Sequence, residues 1–311
     1  MNKTEIYRMS NAFSGETVIY GYKFGSGEKS AAIIGSMRGN EYQQLYICSR
    51  LSKRLSELEE SGNIVNGKQI LLIPTLNHAA HNVNHKHWLA DDSDINRQFP
   101  GNSMGTATSR IAFHIMEVLS GYSYAVQFPS FYKDVECIPH VKMMKTGHES
   151  LNLANLFGLP FIVTSDVRSF DSTTLNYNLQ QNGTDAFSIY SGGTEIINEE
   201  YAELAVSSVL RFLSRMGIIR YRCQGGYMST VIDEENLSSI KADDSGFVKN
   251  LVNVNDEVKK GQVLAELLDP MDGHTRSVVR APLDGIIFYR NSGAIIFQNM
   301  VLFNMIKKLH K

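Results

Sequence analysis

Hydrophobic positions along the chain fall into two regimes. Up to about residue 219, short apolar runs alternate with stretches of helical spacing; beyond it they shrink to brief β-type runs between turns. Thr17 to Phe24 alternates apolar and polar side chains as a half-buried strand does, and Ser30 to Gly35 is the continuous apolar run of a strand covered on both faces. Between Tyr42 and Glu60, Leu45, Ile47, Leu51, Leu55 and Leu58 recur at helical spacing, and Ser61-Gly-Asn63 stops the pattern. Gln69 to Pro74 supplies the next buried strand, so the order is β-α-β with a right-handed crossover.

A polar, histidine-rich loop follows from Asn77 to Gly105, then a helix from Thr108 to Leu119 and a strand over Tyr124 to Phe128. Ser150 to Leu156 and Ala202 to Met216 read as further helices. This mixture predicts an α/β domain over residues 1–219, a mixed sheet flanked by helices. After Arg220 the turn pairs Ser245-Gly, Asn255-Asp, Lys260-Gly, Asp272-Gly, Asp284-Gly and Ser292-Gly predict a small all-β barrel or sandwich over residues 220–311.

Composition narrows the function classes. The 311 residues carry 30 basic and 32 acidic side chains with no long block of either sign, so neither nucleic acid nor an anionic membrane is an expected partner. The first residues are polar, and no apolar stretch approaches the roughly 20 residues that span a bilayer, which points to the cytoplasm. Cys48, Cys137 and Cys223 are too scattered for a disulfide framework or a thiolate zinc cluster.

Ligands of α/β sheets bind beyond the carboxyl ends of strands, which singles out the turn Gly35-Ser-Met-Arg-Gly-Asn-Glu41 between a buried strand and a helix. Read alone, it is a glycine turn with a surface Arg38 and a Glu41 that suits the helix dipole. Asp94-Ile-Asn-Arg-Gln-Phe-Pro-Gly101 adds a second group. Its Arg97 can grip a ligand carboxylate in a two-pronged hydrogen bond, Asn96 can orient that ligand, and Phe99 and Pro100 pin the backbone. His78, His81, His85 and His87 share one loop; without a nearby carboxylate pattern they read as solvated, although His81 and His85 would share a face in a helix.

Together these stretches resemble the succinylglutamate desuccinylase/aspartoacylase family, relatives of the zinc carboxypeptidases that remove an acyl group from an amino acid. The family's second motif, D-L-N-R-x-F-P-G, is matched almost letter for letter at Asp94 to Gly101, and Ile138-Pro-His-Val-Lys142 is similar to a downstream P-h-(V/I)-R. The resemblance implies a zinc-carboxypeptidase-like fold. It places the first zinc ligand of G-x-H-G-(N/D)-E on Arg38 and the second on Glu41, the only one kept. The third, the histidine of D-L-H-T, falls on Pro129, with Gln127 in place of the aspartate. The general base of T-V-E-L-G-G falls on Tyr190 within Ser188 to Gly193.

A catalytic zinc needs about three protein ligands and an open position, and a permanently protonated arginine cannot be one of them. The expectation is therefore a family member without metal or cofactor, whose pocket of Arg38, Glu41, Asp94, Asn96, Arg97, Gln127 and Tyr190 binds a small anionic or acyl-amino-acid-like ligand. It would be non-catalytic, binding that ligand or a partner subunit and assembling with itself or with an active relative. The alternative is an active hydrolase of N-acyl amino acids or small peptides, with a zinc ion rearranged onto Glu41 and His140 or a loop histidine. The C-terminal region also resembles biotinyl and lipoyl domains through Asn255 to Leu264 and Ala281 to Gly285, but the hairpin tip Asp269 to Gly273 lacks the carrier lysine.

Overall fold

The computed structural model describes residues 1–10, 15–131 and 134–307. Its α/β part contains strands β1 (Asn2–Ser10), β2 (Glu16–Gly25), β3 (Gly27–Ser36), β4 (Gly67–Thr75), β5 (Tyr124–Gln127), β6 (Val135–Met144), β7 (Phe161–Ser165) and β8 (Asp185–Gly192). The helices are α1 (Tyr42–Glu60), α2 (His78–His81), α3 (Ala107–Leu119), α4 (Leu151–Asn155), α5 (Leu175–Gln181) and α6 (Glu199–Arg215). The strands run in the order β1-β2-β4-β3-β5-β8-β6, with β3 parallel to both β4 and β5, and β5 parallel to β8.

Each face of the sheet is sealed by helices. On one face Ile47, Leu51 and Leu55 of α1 and Val206, Val209 and Phe212 of α6 pack over Ile33 and Leu72. On the other, Ile111, Ile115 and Leu119 of α3 and Leu175 and Leu179 of α5 cover Ile34, Leu71 and Ala125. Burial on both sides is why Ser30 to Gly35 shows no alternation. Helix ends follow local chemistry: the Thr106 side chain accepts from the Ser109 N–H before α3, and Asn198 accepts from the Tyr201 N–H before α6, where Glu199 and Glu200 suit the positive end of the helix.

The predicted elements appear at their expected places; β1, β6, β7, β8, α2 and α5 were not predicted. Helix α5 hides from an apolar-period reading because two of its inward positions are amides. Gln180 donates to the Ala186 carbonyl and accepts from Thr146, and Asn176 donates to Ser188.

The C-terminal region adds β9 (Thr230–Asp233), β10 (Ser238–Lys241), β11 (Gly246–Asn250), β12 (Glu257–Val258), β13 (Val263–Leu268), β14 (Thr275–Arg280), β15 (Gly285–Asn291), β16 (Ile295–Ile296) and β17 (Val301–Lys307). Strands β14-β13-β11-β16 form a second sheet, and Leu264 and Leu267 of β13 share a core with Ile287 of β15 and Phe303 of β17. The first sheet nevertheless runs on into this region. Strand β6 forks: His140 to Met144 pair with β7, while Val135 to Cys137 pair with β15. Strand β9 in turn covers the outer edge of β7, which would otherwise be an open row of backbone donors and acceptors. Among the described residues no helix is long and apolar enough to cross a membrane.

Candidate functional site

The turn after β3 and the loop before α3 meet at the carboxyl ends of β3 and β5. The turn is held from below by the histidine-rich loop, because a Cβ on Gly39 would lie 2.3 Å from the His85 carbonyl oxygen and 2.4 Å from the Ala80 carbonyl carbon. Only glycine allows that approach.

Glu41, which immediately precedes α1, does not cap the helix. Its Oε2 accepts from the Met37 N–H at 2.6 Å and the Arg38 N–H at 3.1 Å, folding the carboxylate back over its own turn. Its Oε1 accepts from the Arg38 guanidinium at 3.1 Å and from the Ser130 hydroxyl at 2.5 Å. Asp94 takes the other edge of the same guanidinium, with Arg38 Nη2 donating to Oδ2 at 2.7 Å and Nε lying 3.2 Å from both oxygens. Arg38, Glu41 and Asp94 are 3%, 1% and 8% exposed, so this is a buried ion triad rather than a surface arginine. Burial alone pulls the Arg38 pKa down, but Glu41 and then Asp94 more than reverse it, and the guanidinium stays charged.

A zinc ion does not fit the residues this turn supplies. The guanidinium stands between Glu41 and Asp94, and both oxygens of Glu41 are already engaged by the Met37 and Arg38 N–H groups, the guanidinium and Ser130. Arginine offers donors only.

Asn96 and Arg97 sit on the short turn Ile95–Arg97, which Asp94 caps by accepting from the Asn96 N–H at 3.1 Å. Buried Ile95 and Phe99 anchor it. The Asn96 side-chain oxygen accepts from the Leu175 N–H at 3.2 Å, so this residue also positions α5. Arg97 is half-buried, donates to the Phe170 carbonyl at 3.3 Å and lies with its guanidinium 5.0 Å from the Phe170 ring centroid. Among the described residues it has no carboxylate partner.

These groups border a cavity of about 260 Å³, lined by Arg38, Asn96, Arg97, Gln127 and Tyr190 among others. Glu41 and Asp94 lie behind Arg38 rather than on the cavity wall. Residues not singled out in the sequence complete it: Ser130, Lys142, Arg168, Phe170 and Glu234. Lys142 donates to Glu234 at 2.6 Å, and Arg168 lies 3.4 Å from Asp171 and 3.8 Å from Glu234. These two cations are therefore paired, which leaves Arg97 as the exception on this wall. Phe131 packs on Tyr190 with ring centroids 4.7 Å apart, and Tyr289 packs edge-on to Phe131 at 5.6 Å. Glu234 brings the C-terminal region into the pocket wall, and Tyr289 backs that wall through Phe131.

Tyr190 keeps part of its ring open, yet loss of solvent around it pushes its pKa up to about 12, with Arg38 pulling the other way. It is a hydrogen-bond donor near neutrality, not a base. His140 is 1% exposed, bonded through Nδ1 to the Ile138 carbonyl at 2.7 Å and stacked on Tyr190. Burial drives its pKa down to about 4. The structure brings His140 to the back of Tyr190, not to the Glu41 carboxylate, whose hydrogen-bond partners are all accounted for above. Cys48 and Cys137 are buried free thiols, raised in pKa by burial.

The four loop histidines separate. His81 ends α2 and meets the Ser36 hydroxyl at 2.8 Å, while His85 and His87 turn to Asp92, at 2.9 and 3.3 Å. His85 is exposed, as read, but the expectation of no nearby carboxylate needs correcting: Asp92, seven and five residues along the chain, returns to the two histidines. A turn in which the Asp92 N–H donates to the Trp88 carbonyl brings it there.

Comparison with known proteins agrees with the fold. Residues 28–216 match the family model described as the succinylglutamate desuccinylase/aspartoacylase catalytic domain. An N-alpha-acetyl-L-2,4-diaminobutyric acid deacetylase of Halomonas elongata is 24% identical over 281 residues, covering 86% of this chain and 79% of that protein. A succinylglutamate desuccinylase/aspartoacylase crystal structure from Rhodobacter sphaeroides superposes with a TM-score of 0.79 at 19% identity, covering 99% of this chain and 96% of that one. The product-bound ectoine utilization protein EutE (DoeB) from Ruegeria pomeroyi superposes with a TM-score of 0.78 at 18% identity, over 97% and 94% of the two chains. At such identities the solved structures share the fold.

Proposed function

Since this chain belongs to the succinylglutamate desuccinylase/aspartoacylase family, we propose that it keeps the deacylase fold as a metal-free receptor for a small carboxylate of the N-acyl amino acid class. The observation that carries the reading is the Arg38 guanidinium clasped by Glu41, Asp94 and Ser130 at the position where the family resemblance places the first zinc ligand. A fixed organic cation there supplies positive charge to the pocket without an exchangeable coordination site, and it cannot acidify a water molecule as a catalytic metal does.

Recognition falls to Arg97, Asn96 and Tyr190 of the same cavity. Arg97, free of any carboxylate among the described residues and steadied on Phe170, presents its fork to the ligand carboxylate. Asn96 and the Tyr190 hydroxyl offer neutral donors to an acyl carbonyl. The relative from Halomonas elongata is named for an N-acetylated amino acid, which supports the ligand class.

Titration calorimetry with a panel of N-acetyl amino acids and dicarboxylates tests this. Saturable binding without release of acetate, weakened in Arg97→Ala, is expected. Turnover that zinc supports, that a chelator abolishes and that Glu41→Gln removes would replace this reading with that of a hydrolase.

A further inference from the structure

A second cluster of metal-binding side chains lies apart from the pocket. We infer that His85, His87 and Asp92 form a binding site for a divalent transition metal of the zinc class, on the outer side of the loop between α2 and α3. His85 Nε2 and His87 Nδ1 lie 2.9 and 3.3 Å from the same Asp92 Oδ1, and the three ligand atoms all fall within 4.8 Å of one another. A tetrahedral ion with bonds of about 2.0–2.2 Å holds its ligand atoms roughly 3.3–3.5 Å apart, so a small outward adjustment opens the cluster around an ion. Two imidazole nitrogens and one carboxylate oxygen make a borderline donor set, suited to zinc and its neighbours rather than to calcium or magnesium.

The cluster is built rather than accidental. Trp88, 4% exposed, pins the loop from inside. Its N–H donates to the Ser93 carbonyl, and the Asp92 N–H donates back to the Trp88 carbonyl, both at 2.9 Å, so Asp92 is carried onto His87 by a closed turn. Asp92 itself adopts φ of 51°, a conformation a β-carbon resists, and its carboxylate is held by the two rings. The His85 N–H donates to Ala80 at 3.0 Å, and the His87 carbonyl accepts from Asn77 Nδ2 at 3.2 Å. Behind them, Asp91 accepts from the Thr108 N–H at 2.9 Å and ties the turn to the start of α3. His85 and Asp92 are exposed, with side-chain exposures of 45% and 76%, and His87 is half-buried at 28%, so an ion and its remaining water ligands reach the cluster from the His85 and Asp92 side. None of the three residues lines the pocket.

Equilibrium dialysis of the tag-free full chain against zinc chloride, with metal counted per chain, decides the matter. One equivalent is expected, weakened at least about tenfold in His85→Ala, His87→Ala and Asp92→Asn and unchanged in Glu41→Gln. Asp92→Asn keeps the shape of an exposed side chain, so loss of binding there is not loss of fold; circular dichroism checks each variant. No zinc taken up, or uptake that persists in the loop variants, overturns the inference. In the first case the metal-free pocket stands untouched. Uptake that persists in the loop variants but vanishes in Glu41→Gln overturns the pocket reading as well.

Discussion

Two arginines that line one pocket are held in different ways. Arg38 is buried and its guanidinium is spent on Glu41, Asp94 and Ser130. Arg97 is half-buried, rests on an aromatic face and has no carboxylate among the described residues. The difference lies in what surrounds each fork: one cation is already neutralised inside the protein, whereas the other is unmatched at a cavity wall and, under the proposed function, is open to a ligand carboxylate.

The largest expected effect breaks the buried member. Arg38→Met leaves two carboxylates buried without their cation and is expected to destabilise the fold by about 3–5 kcal/mol in urea unfolding. A cost below about 1 kcal/mol would mean that the triad is not a structural unit. Behind the same floor, His140 has a folded pKa of about 4 against 6.5, so the unfolded chain binds more protons between these values. Stability is fully present above the unfolded pKa and is lost as pH falls from 6.5 toward 4, by roughly 3 kcal/mol, and His140→Phe should flatten that slope in unfolding measured across this window.

The unmatched member answers in affinity instead. Arg97→Ala is expected to weaken a carboxylate ligand by about tenfold to a hundredfold while moving unfolding by no more than about 0.5 kcal/mol. Equal losses in both measurements would erase the distinction between the two arginines. Arg168, exposed and already paired with Asp171, gives the smallest change: Arg168→Ala should alter binding by about twofold to threefold and stability by less than about 1 kcal/mol.

Much of this was legible in the chain itself, because it rests on periodicity and short motifs. The strands over Ser30 to Gly35 and Gln69 to Pro74, the helix from Tyr42 to Glu60 and the loop Asp94 to Gly101 all announce themselves through local spacing. The pairing of Arg38 with Glu41 is also a local event. What stayed hidden depends on distance in sequence. Nothing near Arg38 foretells that Asp94 closes its other edge or that Ser130 bridges to Glu41, and nothing near Lys142 foretells Glu234. The metal-like trio hid for another reason: Asp92 returns to the histidines only through a turn built on buried Trp88, and a run of polar loop residues carries no period from which to read that return.

One further consequence belongs to the fork in β6. Because residues 135–137 lend their backbone to β15 while residues 140–144 lend theirs to β7, the chain has no seam at which its two regions could be recombined separately. A fusion or truncation cut near residue 219 would strip β15 from β6 and β9 from β7, baring strand edges that invite pairing with other chains. In this molecule the C-terminal β region is part of the sheet's weave, and any swap between relatives would have to carry both halves together.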